Sequence, residues 1–190
     1  PTGDYEIARQ YLSATARGQW VPRRGTIIYD GWVEAVGEGM ELRGTTRGTL
    51  DAVGRFTVSR ESLTHDFGLT SEAGEWRISA PPDGVLLSSY IFARSYSSVR
   101  SYFIARSGQG VVPEPLHLPT SEITPGRIVE AQLAGPGPFL SSGVRNAIPE
   151  GTKLGTAGTV VDSSGVVTVA LEGVPQSLSE LERRELGAQL

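Results

Sequence analysis

Residues 26–50 read TIIYDGWVEAVGEGMELRGTTRGTL, two β-rich runs hinged on Gly37. Thr26–Val36 and Gly39–Leu50 have the length and composition of strands, and Arg55–Arg60, Ser62–Thr70 and Glu75–Ser79 continue the pattern. Phe56 and Val58 alternate with Arg55, Thr57 and Ser59, while Trp76 and Ile78 alternate with Glu75 and Arg77. Such alternation predicts an antiparallel sheet with one wet face. Upstream, Asp4–Ala16 is apolar on two sides at helical spacing: Tyr5, Ala8, Leu12 and Ala16 on one, Ile7, Tyr11 and Ala14 on the other. Thr2 or Asp4 supplies its cap, and a helix apolar on two sides should be wrapped by a sheet. Residues 1–97 are therefore expected as an α+β domain, a helix against a long curved antiparallel meander.

A second rhythm follows the Pro81-Pro82-Asp83-Gly84 turn and the short segment Val85–Arg94. Val99–Ala105 and Val111–Pro113 read as strands around a Gly-containing turn, and Thr124-Pro125 opens a helix ending at Gly135. A shorter helix is expected over Leu140–Ala147, and Lys153–Asp162 and Val166–Leu171 read as paired strands across Ser163-Ser164-Gly165. Ser177 and Glu180 form a Ser-x-x-Glu box for a last helix. Residues 98–190 are thus expected as a second small α/β domain. Charge does not separate the halves: residues 1–97 carry 10 basic and 12 acidic side chains, residues 98–190 carry 7 and 9.

Composition removes several function classes. There is no cysteine among the 190 residues, so a thiolate nucleophile, thiolate zinc site or disulfide framework is excluded. The net charge of −4 and scattered basic residues argue against a nucleic-acid partner. No apolar run is long enough to span a bilayer. The 24 glycines and 12 prolines mark turns, not cofactor loops: Gly37-Glu38-Gly39 lacks the third glycine of a dinucleotide fingerprint. Gly135-Pro136-Gly137-Pro138 has too few N–H groups to cradle a phosphate. No cofactor and no metal site is expected.

Two histidines are the remaining candidates for chemistry. His65 shares a strand face with Leu63, Phe67 and Leu69 and reads as a core or pocket-wall residue, since Asp66 points to the opposite face. His117 lies in Pro115-Leu116-His117-Leu118-Pro119, read as a proline-bracketed surface connection. Trp20, Trp32 and Trp76 are expected in the core. A cavity between helix and curved sheet would be lined by His65 and Tyr29, the two ligand-binding candidates, and no catalytic residue is assigned. An enzymatic reading requires His65 to meet a carboxylate from another strand.

A series of turns adds a resemblance. Ser71-Glu72-Ala73-Gly74-Glu75-Trp76-Arg77-Ile78 looks like a turn and strand common in NTF2-like domains. Then come Pro82-Asp83-Gly84-Val85-Leu86-Leu87-Ser88, Ser101-Tyr102-Phe103, Val111-Val112-Pro113-Glu114-Pro115 and Leu133-Ala134-Gly135-Pro136. Val144-Arg145-Asn146-Ala147-Ile148-Pro149-Glu150-Gly151-Thr152 and Val166-Val167-Thr168-Val169 close the series. In this order they resemble the LpqB-type lipoproteins of actinobacteria, with their GerMN (sporulation and spore germination) domain. The resemblance implies an NTF2-like half over 1–97 and a GerMN sandwich over 98–190, both expected to be incomplete.

The resemblance also implies a lipoprotein on the outer face of the cytoplasmic membrane, held by an upstream lipidated cysteine and continuing into a propeller. Its implied role is non-catalytic: an accessory partner of a membrane sensor kinase ectodomain, or of another envelope protein, in a two-component system linked to cell-wall metabolism and division. A small-ligand or cell-wall-glycan binding module using the first-domain cavity is the alternative.

Overall fold

A computed structural model describes residues 5–190. The proposed caps Thr2 and Asp4 lie outside the described residues. The chain forms two compact units, one running to Ser97 with Pro119–Ser121, the other comprising Ser98–Leu118 and Glu122–Leu190.

The first unit opens with two short helices, α1 (Glu6–Gln10) and α2 (Ala14–Gln19), where the sequence suggested one. The break has a specific cause. Leu12 bridges to Ile78, Ser13 N–H donates to the Ile78 carbonyl at 2.9 Å, and Ile78 N–H donates to Tyr11 O at 2.9 Å. Residues 11–13 thus act as a strand for one step, and Ser13 then caps α2 by accepting from Ala16 N–H. The Glu72 carboxylate also accepts from Ala14 N–H at 3.1 Å, placing negative charge where the helix dipole favours it. The second apolar side is not covered: Ile7 and Tyr11 are exposed.

The long strands β1 (Thr26–Val36) and β2 (Gly39–Leu50) pair antiparallel from Thr26↔Leu50 to Val36↔Gly39, with a bulge between Ile28 and Tyr29. The other side of β2 carries two short strands in succession, β3 (Phe56–Val58) against Gly48–Leu50 and β4 (Ser62–Asp66) against Glu41–Thr45. Buried Thr46 stitches the gap between them, its hydroxyl accepting from Glu61 N–H at 2.8 Å and bonding Ser59 Oγ at 3.0 Å. The expected strand Ser62–Thr70 is broken at Gly68, whose φ of 53° is left-handed, and its remainder becomes β5 (Leu69–Glu72), paired with β6 (Glu75–Ile78). Strand β7 (Val85–Ser88) runs parallel to the start of β1, so the sheet is not wholly antiparallel. It leads into α3 (Ser89–Ser95), capped by Ser88 and tied to the sheet by a Ser89 Oγ–H bond to Asp30.

One face of this sheet is apolar and packed. Ile28, Leu42 and Leu50 are buried there, together with Leu12 and Ala16. Gly31 and Gly44 sit opposite each other on it, and a Cβ on either would run into the facing backbone. The paired glycines therefore let the two backbones approach more closely than side chains would allow. Gly48 leaves the space filled by the Phe56 ring, which stacks on Phe92 at 6.0 Å, and Phe92 meets Tyr96 at 5.2 Å.

The second unit is built on β8 (Tyr96–Ala105) and β9 (Val111–Pro119), with the two-residue β10 (Val144–Arg145) on the far side of β8. Leu140–Ala147 is not a helix: turns lead into Val144 and Arg145, which pair with Ala105 and Ile104. Strand β9 is longer than the sequence suggested and is an edge. Its even residues Glu114, Leu116 and Leu118 are buried, and Ala105 N–H donates to Gly110 O across the turn. By alternation the backbone of odd residues points away from β8, and three of these are Pro113, Pro115 and Pro119.

Helix α4 (Pro125–Leu133), capped by Thr124, packs Val129 and Ala131 into a core with Phe103, Leu116, Leu118, Val144 and Ile148. The hairpin β11 (Lys153–Val161) and β12 (Val167–Glu172) follows, then α5 (Glu180–Gln189). The capping box of α5 uses Ser179 and Glu182, two residues beyond the expected pair.

Asn146 joins the pieces of this unit. Its amide donates to Gln132 O at 2.9 Å, and its carbonyl accepts from Gln189 Nε2 at 2.6 Å and from Ile148 N–H at 3.1 Å. Gln189, buried near the end of α5, also accepts from Ala147 N–H at 2.7 Å and receives Gln132 Nε2 on its backbone carbonyl at 2.5 Å. Arg145 pairs with Glu185 beside this network, which lowers the Glu185 carboxyl below its usual range.

Two stability outcomes follow. Gly44→Ala should lower the unfolding free energy by about 2 kcal/mol, whereas Gly187→Ala, in open space on α5, should raise it by about 0.5 kcal/mol. Asn146→Ala strands several buried partners and should cost about 2–3 kcal/mol. Urea unfolding of the three variants checks the signs and the order.

Candidate functional site

His65 and Tyr29 lie on the same, inner face of the first sheet. His65 stands opposite Leu42 on β2, and Tyr29 stands opposite Thr46. Four residues of β2 separate those partners, about 13 Å along the strand, with the candidates on opposite flanks. They do not converge. His65 Nε2 bonds the Ala80 carbonyl at 2.9 Å, and its ring meets Phe67 edge-on at 4.9 Å. The carboxylate that an enzymatic reading needs is not its partner. Tyr29 is half-buried, and that burial raises its phenol above the usual value.

His117 is not in a surface loop but in β9, on the side of the strand opposite Leu116 and Leu118 and half-buried. Burial holds its imidazole below the usual value. Among the described residues, no three His, Cys, Asp or Glu side chains gather as a metal site. None of the described helices is long and apolar enough to cross a membrane.

The tryptophans divide differently from the expectation. Trp20 is half-buried and structural: its indole N–H donates to Pro82 O at 3.1 Å and Gly84 O at 2.8 Å, fixing the turn before β7. Arg9 stacks over its ring. Trp32 and Trp76 are exposed, Trp32 at 61%. For Trp76 alternation assigned a face but could not say whether that face was wet.

Trp32 belongs to the most organised polar surface of the first unit, the outer face of the sheet. Successive cross-strand rows there are Asp30–Thr45–Ser62, Trp32–Arg43–Thr64 and Glu34–Glu41–Asp66. The first two rows line a shallow depression of about 470 Å³, with Gly31 and Gly44 also contributing. Neither His65 nor Tyr29 lines it. Trp32 Nε1–H donates to Glu34 at 3.3 Å, Glu34 pairs with Arg43 at 3.1 Å, and Arg43 also pairs with Glu41. Donation of a hydrogen bond to the Glu41 carboxylate raises the Arg43 guanidinium further above its already high value. Asp30, bonded by Ser89 and Arg47, is held below the ordinary carboxylate range. The i, i+2 spacing of Asp30, Trp32 and Glu34 was the available signal for this cluster.

His117 yields a pH test. Its folded pKa lies below the ~6.5 of an unperturbed imidazole, so its contribution to stability is complete above that value. The contribution is lost as pH falls toward the folded pKa. Urea midpoints at pH 7.5 and pH 5.5 should therefore differ less in His117→Gln than in the parent, with imidazole NMR titration giving the midpoint directly.

Comparison with known proteins places the sequence in a family. Residues 1–93 match the family model described as lipoprotein LpqB, N-terminal domain, and residues 100–190 match sporulation and spore germination. The chain is 37% identical to a lipoprotein LpqB of Cutibacterium acnes over 98% of its own length and 32% of that protein's. It is 32% identical to one from Thermobifida fusca, again over 98% of this chain and 32% of the relative. A Corynebacterium jeikeium lipoprotein LpqB is 29% identical over 100% of this chain and 33% of the relative. The chain spans about a third of the length of these curated relatives. No solved structure matches it significantly. Two adjoining domain matches and relatives aligned over nearly all of its residues show that this chain belongs to the LpqB lipoprotein family.

Proposed function

We propose that this chain is the non-catalytic, outward-facing part of an envelope lipoprotein, carried on the outer face of the cytoplasmic membrane by a lipid anchor. In this reading it is an accessory partner of a membrane sensor kinase ectodomain, or of another envelope protein, in a two-component system linked to cell-wall metabolism and division. Family membership supports the lipoprotein part, since the relatives bear that name. The observation that carries the interaction part is the tip of the β11–β12 hairpin. Val160, Val161, Val166 and Val167 are all exposed there. Val161 stands opposite Val167, and Val160 opposite Thr168.

This tip is a built feature. Asp162 Oδ1 accepts from Ser164 N–H at 2.8 Å and Val166 N–H at 3.0 Å, locking the turn between the valines. The Ser164 hydroxyl is the main cause of the lowered Asp162 carboxyl, which therefore stays ionised and an acceptor. A locked turn flanked by exposed β-branched side chains, Val161 with Val167 on one face and Val160 on the other, offers apolar surface of the kind a protein contact uses and a soluble monomer ordinarily avoids. Phe139, at 95% exposed, adds an aromatic side chain to the surface of the same unit.

The full-length lipoprotein, extracted with its membrane, should co-purify with a sensor kinase. Val160→Asp with Val167→Asp should reduce recovery about tenfold or more at unchanged melting temperature. If deletion of the lipoprotein left signalling through that kinase unchanged, the proposal would fail.

A further inference from the structure

The outer face of the first sheet has no assigned role, and its chemistry is specific. Trp32 is 61% exposed, yet its ring is tethered. Its N–H is held by Glu34, and Glu34 is in turn held by Arg43, the residue directly across the strand pair. An exposed aromatic tethered in this way has fewer orientations open to it before any ligand arrives, so less ordering remains to oppose binding.

What surrounds the ring defines the ligand. Thr45, Ser62 and Thr64 are exposed hydroxyls on the same face, and with Arg43 they offer donors and acceptors on the two strands beside Trp32. The negative face of an indole takes positively polarised C–H groups, and flanking hydroxyls take O–H groups lying in the plane of the same ring. A pyranose has both. Charge narrows the class further. Asp30, Glu34, Glu41 and Asp66 share this face with Arg43 and Arg47, and both arginines are engaged by its carboxylates. Carboxylates are in excess, which disfavours a polyanion.

The geometry points to the outer sheet face around Trp32 as a binding platform for a neutral oligosaccharide, with the sugar ring stacked on the indole and its hydroxyls met by Arg43, Thr45, Ser62 and Thr64. This site lies on the face opposite His65 and Tyr29, and it stands whether or not a sensor kinase is the partner.

Titration of the 190-residue chain with chitotetraose, followed by NMR of the indole N–H resonances, tests it. The Trp32 resonance should move with saturable dependence, while Trp20 and Trp76 stay in place. Trp32→Ala should weaken binding measured by calorimetry about tenfold or more, with an unchanged melting curve, and Trp76→Ala should leave it intact. Absence of any shift up to about 10 mM sugar would overturn the proposal. So would an equal response to an anionic galacturonate oligosaccharide, a response confined to Trp76, or affinity unaffected by Trp32→Ala.

Discussion

The close approach of Gly31 and Gly44 governs the first unit. Two strands facing each other over 11 residue pairs would ordinarily keep their side chains between them at the inner face. Here both positions lack a Cβ, and the backbones close into the space that two side chains would have filled. The inner face collects Ile28, Leu42 and Leu50 into a packed core, while the outer face spreads Trp32, Arg43 and Thr64 in a row open to water. Gly48, further along β2, continues the device by admitting the Phe56 ring.

The second unit is unified by polar groups as well as apolar packing. Asn146 connects α4, the segment after β10 and the end of α5 through bonds to Gln132, Ile148 and Gln189. Such a network is directional: it accepts one arrangement of the three segments, whereas apolar contacts tolerate many. Asn146 and Gln189 each bond to more than one neighbour, so removal at one point is felt at several.

How much of this was legible in the chain depends on the range of the signal. The limits of β1 and β2 are written locally, in period-two patterning and in the Gly37 turn, and the structure places them at the same residues. The break in the first helix is not local: it is made by the backbone of Ile78, more than sixty residues away. Val144 and Arg145 likewise become a strand only because β8 offers them partners. At the last helix the sequence Ser177-Leu178-Ser179-Glu180-Leu181-Glu182 contains two overlapping boxes, and one register must lose. For the outer-face cluster the residues were visible but their meeting was not, since Arg43 joins Trp32 and Glu34 only through the hairpin register.

The proline-studded edge of β9 has a consequence for how the second unit can be recruited. With Pro113, Pro115 and Pro119 in place, most of the amide donors that an incoming strand would need on that side do not exist. Extension of the sheet by a neighbouring chain is therefore closed off along this border, whether the neighbour is another protein or another copy. Recognition along this border must then rest on side-chain shape instead of backbone complementarity. That makes specificity there open to change by single substitutions, and keeps this border from templating self-association.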